Sequence, residues 1–235
     1  MTILKSPLNS ALRSSFVEGA ASSVGRYFTY FNSDVPMYIS FPSQLLSLDS
    51  TWQIELTAAV SAEGGYLFAQ KESTDTVDRL GLYPADDGRI FGLSTQSPSA
   101  GGDLSTYLGT SKLTTFMATS DKTDLIYIVD GVEKHRNNVG LRGPQINSAG
   151  SPYAGSTSIP YIKGFISEVK ITVDDDLKMH LVLDGVYDES NNTVVDLSGK
   201  GNHGAVVGAS TGVSKMYYKN AEGDWENGSD VLKIS

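Results

Sequence analysis

The sequence predicts an all-β protein built as a two-sheet antiparallel β-sandwich. Two observations indicate this class: apolar residues recur with a period of two from residue 27 onward, and turn residues separate the apolar runs at short intervals. The composition agrees, because 24 of the 235 residues are glycine and runs that favour a helix are rare. Strands joined by turns, without intervening helices, bury their apolar faces by packing one sheet on another.

Residues 1–26 are predicted to form an N-terminal assembly arm. A Ser-Pro pair suits the N-cap and first position of a short helix, and apolar residues follow at helical spacing. These apolar positions are Leu8, Leu12 and Phe16. So short a helix is marginal alone. We therefore expect the three side chains to dock on another chain, with a frayed tail as the alternative.

Residues 27–208 are predicted to form the sandwich. Residues 52–60 give the clearest strand, because Trp52, Ile54 and Leu56 alternate with polar positions. Residues 85–88 are typical of a hairpin turn, and residues 125–129 are apolar on both faces, as in a central strand. Further strands are predicted at residues 38–41, 66–69, 113–119, 164–173 and 179–183. Loops are predicted at residues 97–106 and over most of residues 136–160.

Residues 209–235 are predicted to be an aromatic and polar tail. Tyr217, Tyr218 and Trp225 lie there among lysine, asparagine, glutamate and glycine. Aromatic residues in such a setting are enriched at subunit interfaces. We expect the tail to pack on the sandwich or on a neighbouring subunit, and the protein to be a homo-oligomer.

The charge and the missing cysteines exclude several classes of function. The formal net charge is −9, which disfavours nucleic acid as a partner because phosphate binding needs clustered Lys and Arg. The chain has no cysteine, so disulfides and thiolate metal sites are excluded. No stretch is apolar enough to insert in a membrane, and the first ten residues lack the apolar core of a secretory signal. We expect synthesis in the cytoplasm.

The segment 195–204 is the most distinctive one, with an aspartate, three glycines, an asparagine and a histidine between valine-rich flanks. It predicts a tightly kinked loop in which Gly199, Gly201 and Gly204 are available for positive φ, and in which Gly199 or Gly201 adopts it. Calcium is the one cofactor that the turn-rich sequence around this loop suggests, because hard cations need converging oxygens. Its candidate ligands are Asp184, Asp188, Asp196 and Asn202. Asp and Asn before glycine commonly form Asx turns without metal, so we predict no cofactor and keep calcium as the alternative.

Four segments, in this order, resemble the concanavalin A-like jelly rolls, especially their laminin-G-like and pentraxin-like branch. They are Tyr-Ile-Ser-Phe at residues 38–41, Trp-Gln-Ile-Glu-Leu at residues 52–56, Tyr-Ile-Val-Asp-Gly at residues 127–131 and Gly-Phe-Ile-Ser-Glu-Val-Lys-Ile at residues 164–171. The resemblance covers about residues 30–208 and implies a lectin-like fold.

The glycine-rich loop resembles the segment that usually opens such a domain, although here it follows the closing strand. Because the family's opening and closing segments are neighbours, the resemblance implies that this loop lies beside strand 164–173. The closing strand has Ser167 where the family usually carries aspartate.

The resemblance also bears on chemistry. Hydrolases on this fold carry their paired carboxylates at alternating positions of one strand, whereas Glu168 is followed here by Lys170 and Thr172. We therefore predict a protein that is not an enzyme. Tyr153 and Tyr161 lie in loop-like sequence and are the predicted carbohydrate-binding residues.

The first residues and the aromatic ending look like those of structural and tail-associated proteins of tailed bacteriophages. The predicted function is a non-enzymatic bacteriophage virion protein, a tail-associated or fibre component that contacts host-surface glycan. Its expected partners are other virion proteins. One alternative is a capsid or tail decoration or scaffold protein with no ligand, and a second is a glycan hydrolase.

Overall fold

A computed structural model gives the fold. The residues that it describes are 27–31, 37–42, 45–46, 49–60, 67–69, 82–84, 89–94, 97–103, 107, 113–137, 146–150, 162, 164–183, 192–208, 216–219 and 225–227. The strands, in chain order, are β1 (Tyr27–Phe31), β2 (Tyr38–Ser40), β3 (Trp52–Val60), β4 (Phe68–Ala69), β5 (Leu82–Pro84), β6 (Arg89–Ser94), β7 (Ser97–Asp103), β8 (Thr114–Ser120), β9 (Leu125–Val129), β10 (Val132–Asn137), β11 (Ser148–Ala149), β12 (Gly164–Val173), β13 (Asp176–Val182), β14 (Thr193–Val194), β15 (Gly204–Val207), β16 (Met216–Lys219) and β17 (Trp225–Asn227).

These strands form two principal antiparallel sheets. The first has nine strands in the order β10-β9-β8-β3-β12-β1-β16-β17, with β13 also paired with β12. The second has five strands in the order β14-β15-β2-β11-β4. A separate three-stranded sheet has the order β5-β6-β7. The architecture confirms the predicted all-β class and the predicted hairpin between β5 and β6.

Strand β3 shows why the nine-stranded sheet forms. Trp52, Ile54 and Leu56 are buried on one face, whereas Gln53 and Glu55 on the other face are partly exposed. The period of two turns every second side chain toward the same side of a strand. The buried face packs on the five-stranded sheet, and the core between the sheets includes Ile39, Ile54, Leu56, Phe68, Phe116, Tyr127, Val169, Ile171, Leu181 and Val206.

Gly204 marks a point where the two sheets meet closely. A Cβ at this position of β15 would lie 2.6 Å from Leu181 Cδ1 in the nine-stranded sheet and 3.1 Å from the Ser40 carbonyl oxygen in β2. Real Cβ atoms essentially never come within 3.0 Å of another atom, so a side chain here would have to displace the Leu181 methyl group. The absence of a side chain at residue 204 therefore lets Leu181 pack against the second sheet.

Two hairpins of the nine-stranded sheet close with the same device. Asp130 and Gly131 join β9 to β10 with φ of 47° and 78°, as a type I′ turn requires. The Asp130 N–H donates to the Thr115 carbonyl and its carboxylate accepts from the Thr115 N–H, both at 2.9 Å. Asp174 makes the same pair of backbone contacts to Thr51, also at 2.9 Å. Each aspartate therefore ties its turn to the neighbouring strand.

The structure corrects one predicted loop. Residues 97–103, predicted to be a loop from their serine, glycine and proline content, form β7 and pair with β6. Pairing with a neighbouring strand overrides the weak intrinsic preference of these residues. Strands β1, β16 and β17 were not anticipated either. They extend the nine-stranded sheet beyond β12, so parts of the predicted tail belong to the sheet.

The N-terminal arm, with Leu8, Leu12 and Phe16, lies outside the described residues. Its role and the boundaries at residues 26 and 208 stay predictions. Within the described part of the chain, no helix is long and apolar enough to span a membrane.

Candidate functional site

The glycine-rich loop, residues 196–203, covers the free edge of β13. Asp196 Oδ1 accepts hydrogen bonds from the backbone N–H groups of His180 and Ser198, each at 2.9 Å. Asp196 Oδ2 accepts from the Ser198 hydroxyl at 2.7 Å and from the Asn202 N–H at 2.9 Å. The Leu197 N–H donates to the His180 carbonyl at 2.8 Å. The loop thus supplies the partners that a neighbouring strand would give to this edge.

The rest of the loop completes the cover. The Asn202 side-chain amide donates to the Lys178 carbonyl at 2.7 Å. The single hydroxyl hydrogen of Ser198 lies within reach of that carbonyl at 3.1 Å and of Asp196 Oδ2 at 2.7 Å, and we assign it to the shorter, charge-assisted contact. His203 Nδ1 accepts from the Asp196 N–H at 3.0 Å. Gly199 and Gly201 have φ of 81° and 80°, which confirms the prediction of positive φ.

Asp196 is ionised at neutral pH in this setting. It is only 6% exposed, and burial raises the pKa of its carboxyl. The N–H groups of Ser198 and His180, together with the Ser198 hydroxyl and the Asn202 N–H, outweigh burial and hold the pKa below its ordinary value. Hydrogen bonds donated to the charged form stabilise it over the protonated form.

The hydrogen bonds bear on the predicted calcium ligands. Both oxygens of Asp196 are turned to protein donors, and the Asn202 amide donates to a carbonyl. A calcium site needs such oxygens to converge on the ion instead. Asp184 and Asp188 lie outside the described residues, and the described ones contain no group of three or more His, Asp or Glu that could hold a metal. Calcium binding stays a prediction that the geometry of Asp196 does not favour.

The position of the loop differs by one strand from the expectation. Asp196 bridges to Leu181 of β13, and β13 in turn pairs with β12 along residues 168–173. The loop therefore lies beside β13, not beside β12. The reason is the tight turn at residues 174–175, which folds β13 onto the edge of β12 before the loop begins.

A second feature is the face of the nine-stranded sheet that points away from the five-stranded sheet, called here the outer face. On four adjacent strands it carries the partly exposed residues Thr115, Met117, Thr119, Gln53, Glu55, Thr57, Glu168, Lys170, Thr172, His180 and Val182. In register, Glu55 pairs with Met117 on one side and with Lys170 on the other. Lys170 pairs in turn with His180. Polar groups from four strands therefore lie side by side.

These side chains already contact one another. Glu168 receives Lys170 Nζ at 2.9 Å on one carboxylate oxygen and His180 Nε2 at 2.5 Å on the other. Burial raises the pKa of Glu168, but the hydrogen bonds from Lys170 and His180 outweigh burial and lower the pKa below its ordinary value. The Thr57 and Thr115 hydroxyls lie 3.2 Å apart.

The loop and the outer face meet at His180. Its backbone N–H donates to Asp196 on the free edge of β13, while its ring contacts Glu168 on the outer face. The glycine-rich loop therefore holds the edge of β13 in place, and β13 in turn positions the His180 imidazole. On the neighbouring strand, Gln53 donates to the Glu55 carboxylate.

The outer face is covered at the end of β12 that pairs with β1. Phe165 pairs there with Ala59, and both are fully buried although they lie on the face opposite the core residue Ala58. Register then links Phe165 to Tyr30 of β1.

The predicted site residues thus have different outcomes. Tyr153 and Tyr161 lie outside the described residues, and their role stays a prediction. Tyr217, Tyr218 and Trp225 lie in strands of the large sheet, which leaves their predicted interface role untested. The row formed by Gln53, Glu55, Thr57, Thr115, Glu168, Lys170 and His180 was missed. Period-two alternation marked these positions as the polar side of strands, but it could not show which strands are neighbours.

Comparisons with known proteins bear on the fold. No family model matches the sequence, and no curated protein matches it. A crystal structure of a candidate carbohydrate-binding protein from Bacteroides ovatus aligns with a TM-score of 0.58 and 14% identity, over 80% of this chain and 59% of that one. The chain thus spans about three fifths of that structure's length. At this identity the likeness establishes the fold alone.

Two further solved structures align more weakly. Domains LG4-5 of the mouse laminin alpha1 chain give a TM-score of 0.42 at 17% identity, over 66% of this chain and 42% of that one. Domain 4 of an extracellular arabinanase from Geobacillus stearothermophilus, in complex with arabinotriose, gives 0.40 at 20% identity, over 57% of this chain and 65% of that one. The Bacteroides structure alone supports the conclusion that this chain has the predicted lectin-like β-sandwich fold.

Proposed function

We propose that this chain is a glycan-binding module and that the outer face of its nine-stranded sheet is the binding surface. The observation that carries the proposal is the row of hydroxyl, amide, carboxylate and ammonium groups on β8, β3, β12 and β13. Together these groups offer both donors and acceptors, and a sugar hydroxyl can bond to either. Contacts such as the one between Glu168 and Lys170 hold their positions before a ligand arrives.

The fold, shared with the Bacteroides structure described as a candidate carbohydrate-binding protein, is compatible with this function.

Binding to a panel of immobilised glycans tests the proposal. We expect Thr57→Val and Thr115→Val each to weaken binding of the glycan that the intact chain selects by about five- to tenfold, because each removes a hydroxyl from the face without changing its shape. Thr123→Val is the matched control, since this exposed threonine lies in the turn between β8 and β9. Equal affinity of all four proteins would place the site elsewhere, and no binding to any glycan would refute the function.

We propose that binding occurs without cleavage. Glu55 and Glu168 do lie on one face of neighbouring strands, diagonally across the ladder, so a carboxylate pair exists that no single strand reveals. However, a general acid needs a raised pKa, and the pKa of Glu168 is lowered by Lys170 and His180. We expect no new reducing ends when the bound glycan is incubated with the protein. Release that disappears in Glu55→Gln would make the protein a hydrolase.

We also propose that the chain works in a bacteriophage virion, as a homo-oligomer joined to other virion proteins. The support is the sequence of residues 1–26 and of the aromatic ending. A chain that lacks residues 1–26 should remain folded, since β1 begins at Tyr27, but should no longer co-purify with particles. Normal incorporation of the shortened chain would refute the assembly role of the arm.

A further inference from the structure

We infer that the glycan bound by the outer face is uncharged, and that glycans bearing sulfate or carboxylate groups are rejected. This inference rests on the proposed function and concerns the same surface. It follows from how the charges of that surface are arranged.

Lys170, the one lysine among the residues assigned to the outer face, is engaged by a carboxylate, because its Nζ lies 2.9 Å from Glu168. Cations elsewhere on the same sheet are engaged as well. Lys178 Nζ of β13 lies 2.7 Å from Asp176, and the Arg136 guanidinium of β10 lies 2.8 Å from both Asp124 and Glu133. An anionic sugar would have to displace one of these carboxylates from its partner, whereas binding sites for anions present free donors of positive charge.

Glu55 places a negative charge near the middle of the row. Among the described residues it accepts a hydrogen bond from Gln53 and has no ion-pair partner. Two like charges in contact repel each other, and the repulsion is stronger at a protein surface than in bulk water because the surroundings are less polarisable. A sulfate or carboxylate bound over β3 would meet this repulsion, whereas a sugar hydroxyl would donate to Glu55.

The net charge acts in the same direction over longer distances. The chain carries a formal charge of −9, so the field around it repels polyanions before contact. The remaining groups of the row, such as the Thr57 and Thr115 hydroxyls, are uncharged and suit uncharged partners.

The test compares neutral oligosaccharides with the same backbones after chemical sulfation, by calorimetry at 50 and 500 mM NaCl. We expect the neutral form to bind with the same affinity at both salt concentrations. We expect the sulfated form to bind at least tenfold more weakly at the lower salt, with a smaller difference at the higher salt because ions screen the repulsion.

A pair of variants locates the repulsion. Glu55→Gln should improve binding of the sulfated form about three- to tenfold, because it removes the central charge and keeps the size of the side chain. Asp175→Asn makes the same change in net charge at an exposed hairpin turn, where asparagine tolerates the φ of 63°, and should change nothing. Equal effects of the two variants would contradict the role of Glu55.

The possible failures are distinguishable. Tighter binding of the sulfated form than of the neutral form would overturn the inference while leaving the glycan-binding function in place. If the protein bound neither form and no other glycan, the proposed function itself would be refuted. The melting temperatures of both variants serve as a control. Values close to that of the original chain show that a change in affinity is not caused by unfolding.

Discussion

The Asp196 side chain provides hydrogen bonds that a neighbouring strand would otherwise give to the edge of β13. Its two carboxylate oxygens accept four hydrogen bonds, one from β13 and three from its own loop. The open edge of a sheet presents unpaired N–H and C=O groups that another chain can pair with. Here these groups of β13 are satisfied from within, which protects the edge next to the outer face.

Asp196→Asn should therefore destabilise the fold by about 3 kcal/mol, because hydrogen bonds to a charged acceptor contribute about 1.5–3 kcal/mol each and do not add. The folded-state pKa is lowered, so the charged carboxylate contributes stability above the unfolded pKa of about 3.9, and this contribution is lost as pH falls through the folded pKa. Urea denaturation of both proteins should show a constant difference from pH 8 to 5 and a shrinking one below about pH 4. A difference that persists at low pH would contradict this account of the charge.

Tyr127 presents the opposite case, a polar group that the core does not satisfy. Its ring is fully buried and stacks on His135 with centroids 6.2 Å apart, and its hydroxyl has no hydrogen-bond partner among the described residues. Burial raises the pKa of this phenol. Tyr127→Phe should stabilise the protein by about 1 kcal/mol, because it removes a buried unpaired group. Loss of stability in chemical denaturation would mean that the hydroxyl is bonded after all.

At the scale of the elements, Gly204 and Gly199 separate two reasons for needing glycine. At residue 204 a Cβ would collide with Leu181 and Ser40 from both sheets, whereas at residue 199 a Cβ has open space but φ is 81°. Gly204→Ala should cost about 2–3 kcal/mol through overpacking, and Gly199→Ala about 1 kcal/mol through backbone strain. Thermal melts that rank the two variants in the reverse order would contradict the proposed packing of the sheets.

The strands differ in how well the sequence predicts them. Strand β3 was predictable because apolar and polar residues alternate without a break from Trp52 to Ala58. The two strands of the β5–β6 hairpin were also predictable from their turn. Strand β7 was not, because its serines and glycines carry no apolar pattern and its conformation comes from pairing with β6. Residues 27–31 are aromatic except for Thr29, so no alternation of apolar and polar residues marked β1.

In the whole molecule, the register of strand pairing determines which side chains of the candidate site are neighbours. The sequence of a single strand does not reveal this register. A bulge at Ser167 shifts β12 against β3 so that Glu168 pairs with Thr57 and Lys170 with Glu55. A shift of one residue would have turned these side chains to the other face. Sequence patterns identified the polar side of each strand, but the row across strands emerges only from the assembled sheet.

The stability of the whole molecule should not depend on calcium. The geometry of Asp196 satisfies its carboxylate with protein donors, so removal of calcium takes no ligand from the loop. We expect the melting temperature to be the same in EDTA and in millimolar calcium, since only a ligand that binds the folded state raises it. A melting temperature that falls in EDTA and recovers with calcium would show that a site with Asp184 or Asp188 exists.

Glycan binding by the outer face of the large sheet can be mapped residue by residue. Backbone amide NMR spectra of the chain are recorded while a selected neutral oligosaccharide is added. We expect the shifts to concentrate on β8, β3, β12 and β13, around Thr57, Glu55 and Lys170, and to spare the turn at Asp175. Shifts confined to the loops around Tyr153 and Tyr161, with the outer face unchanged, would contradict the claim.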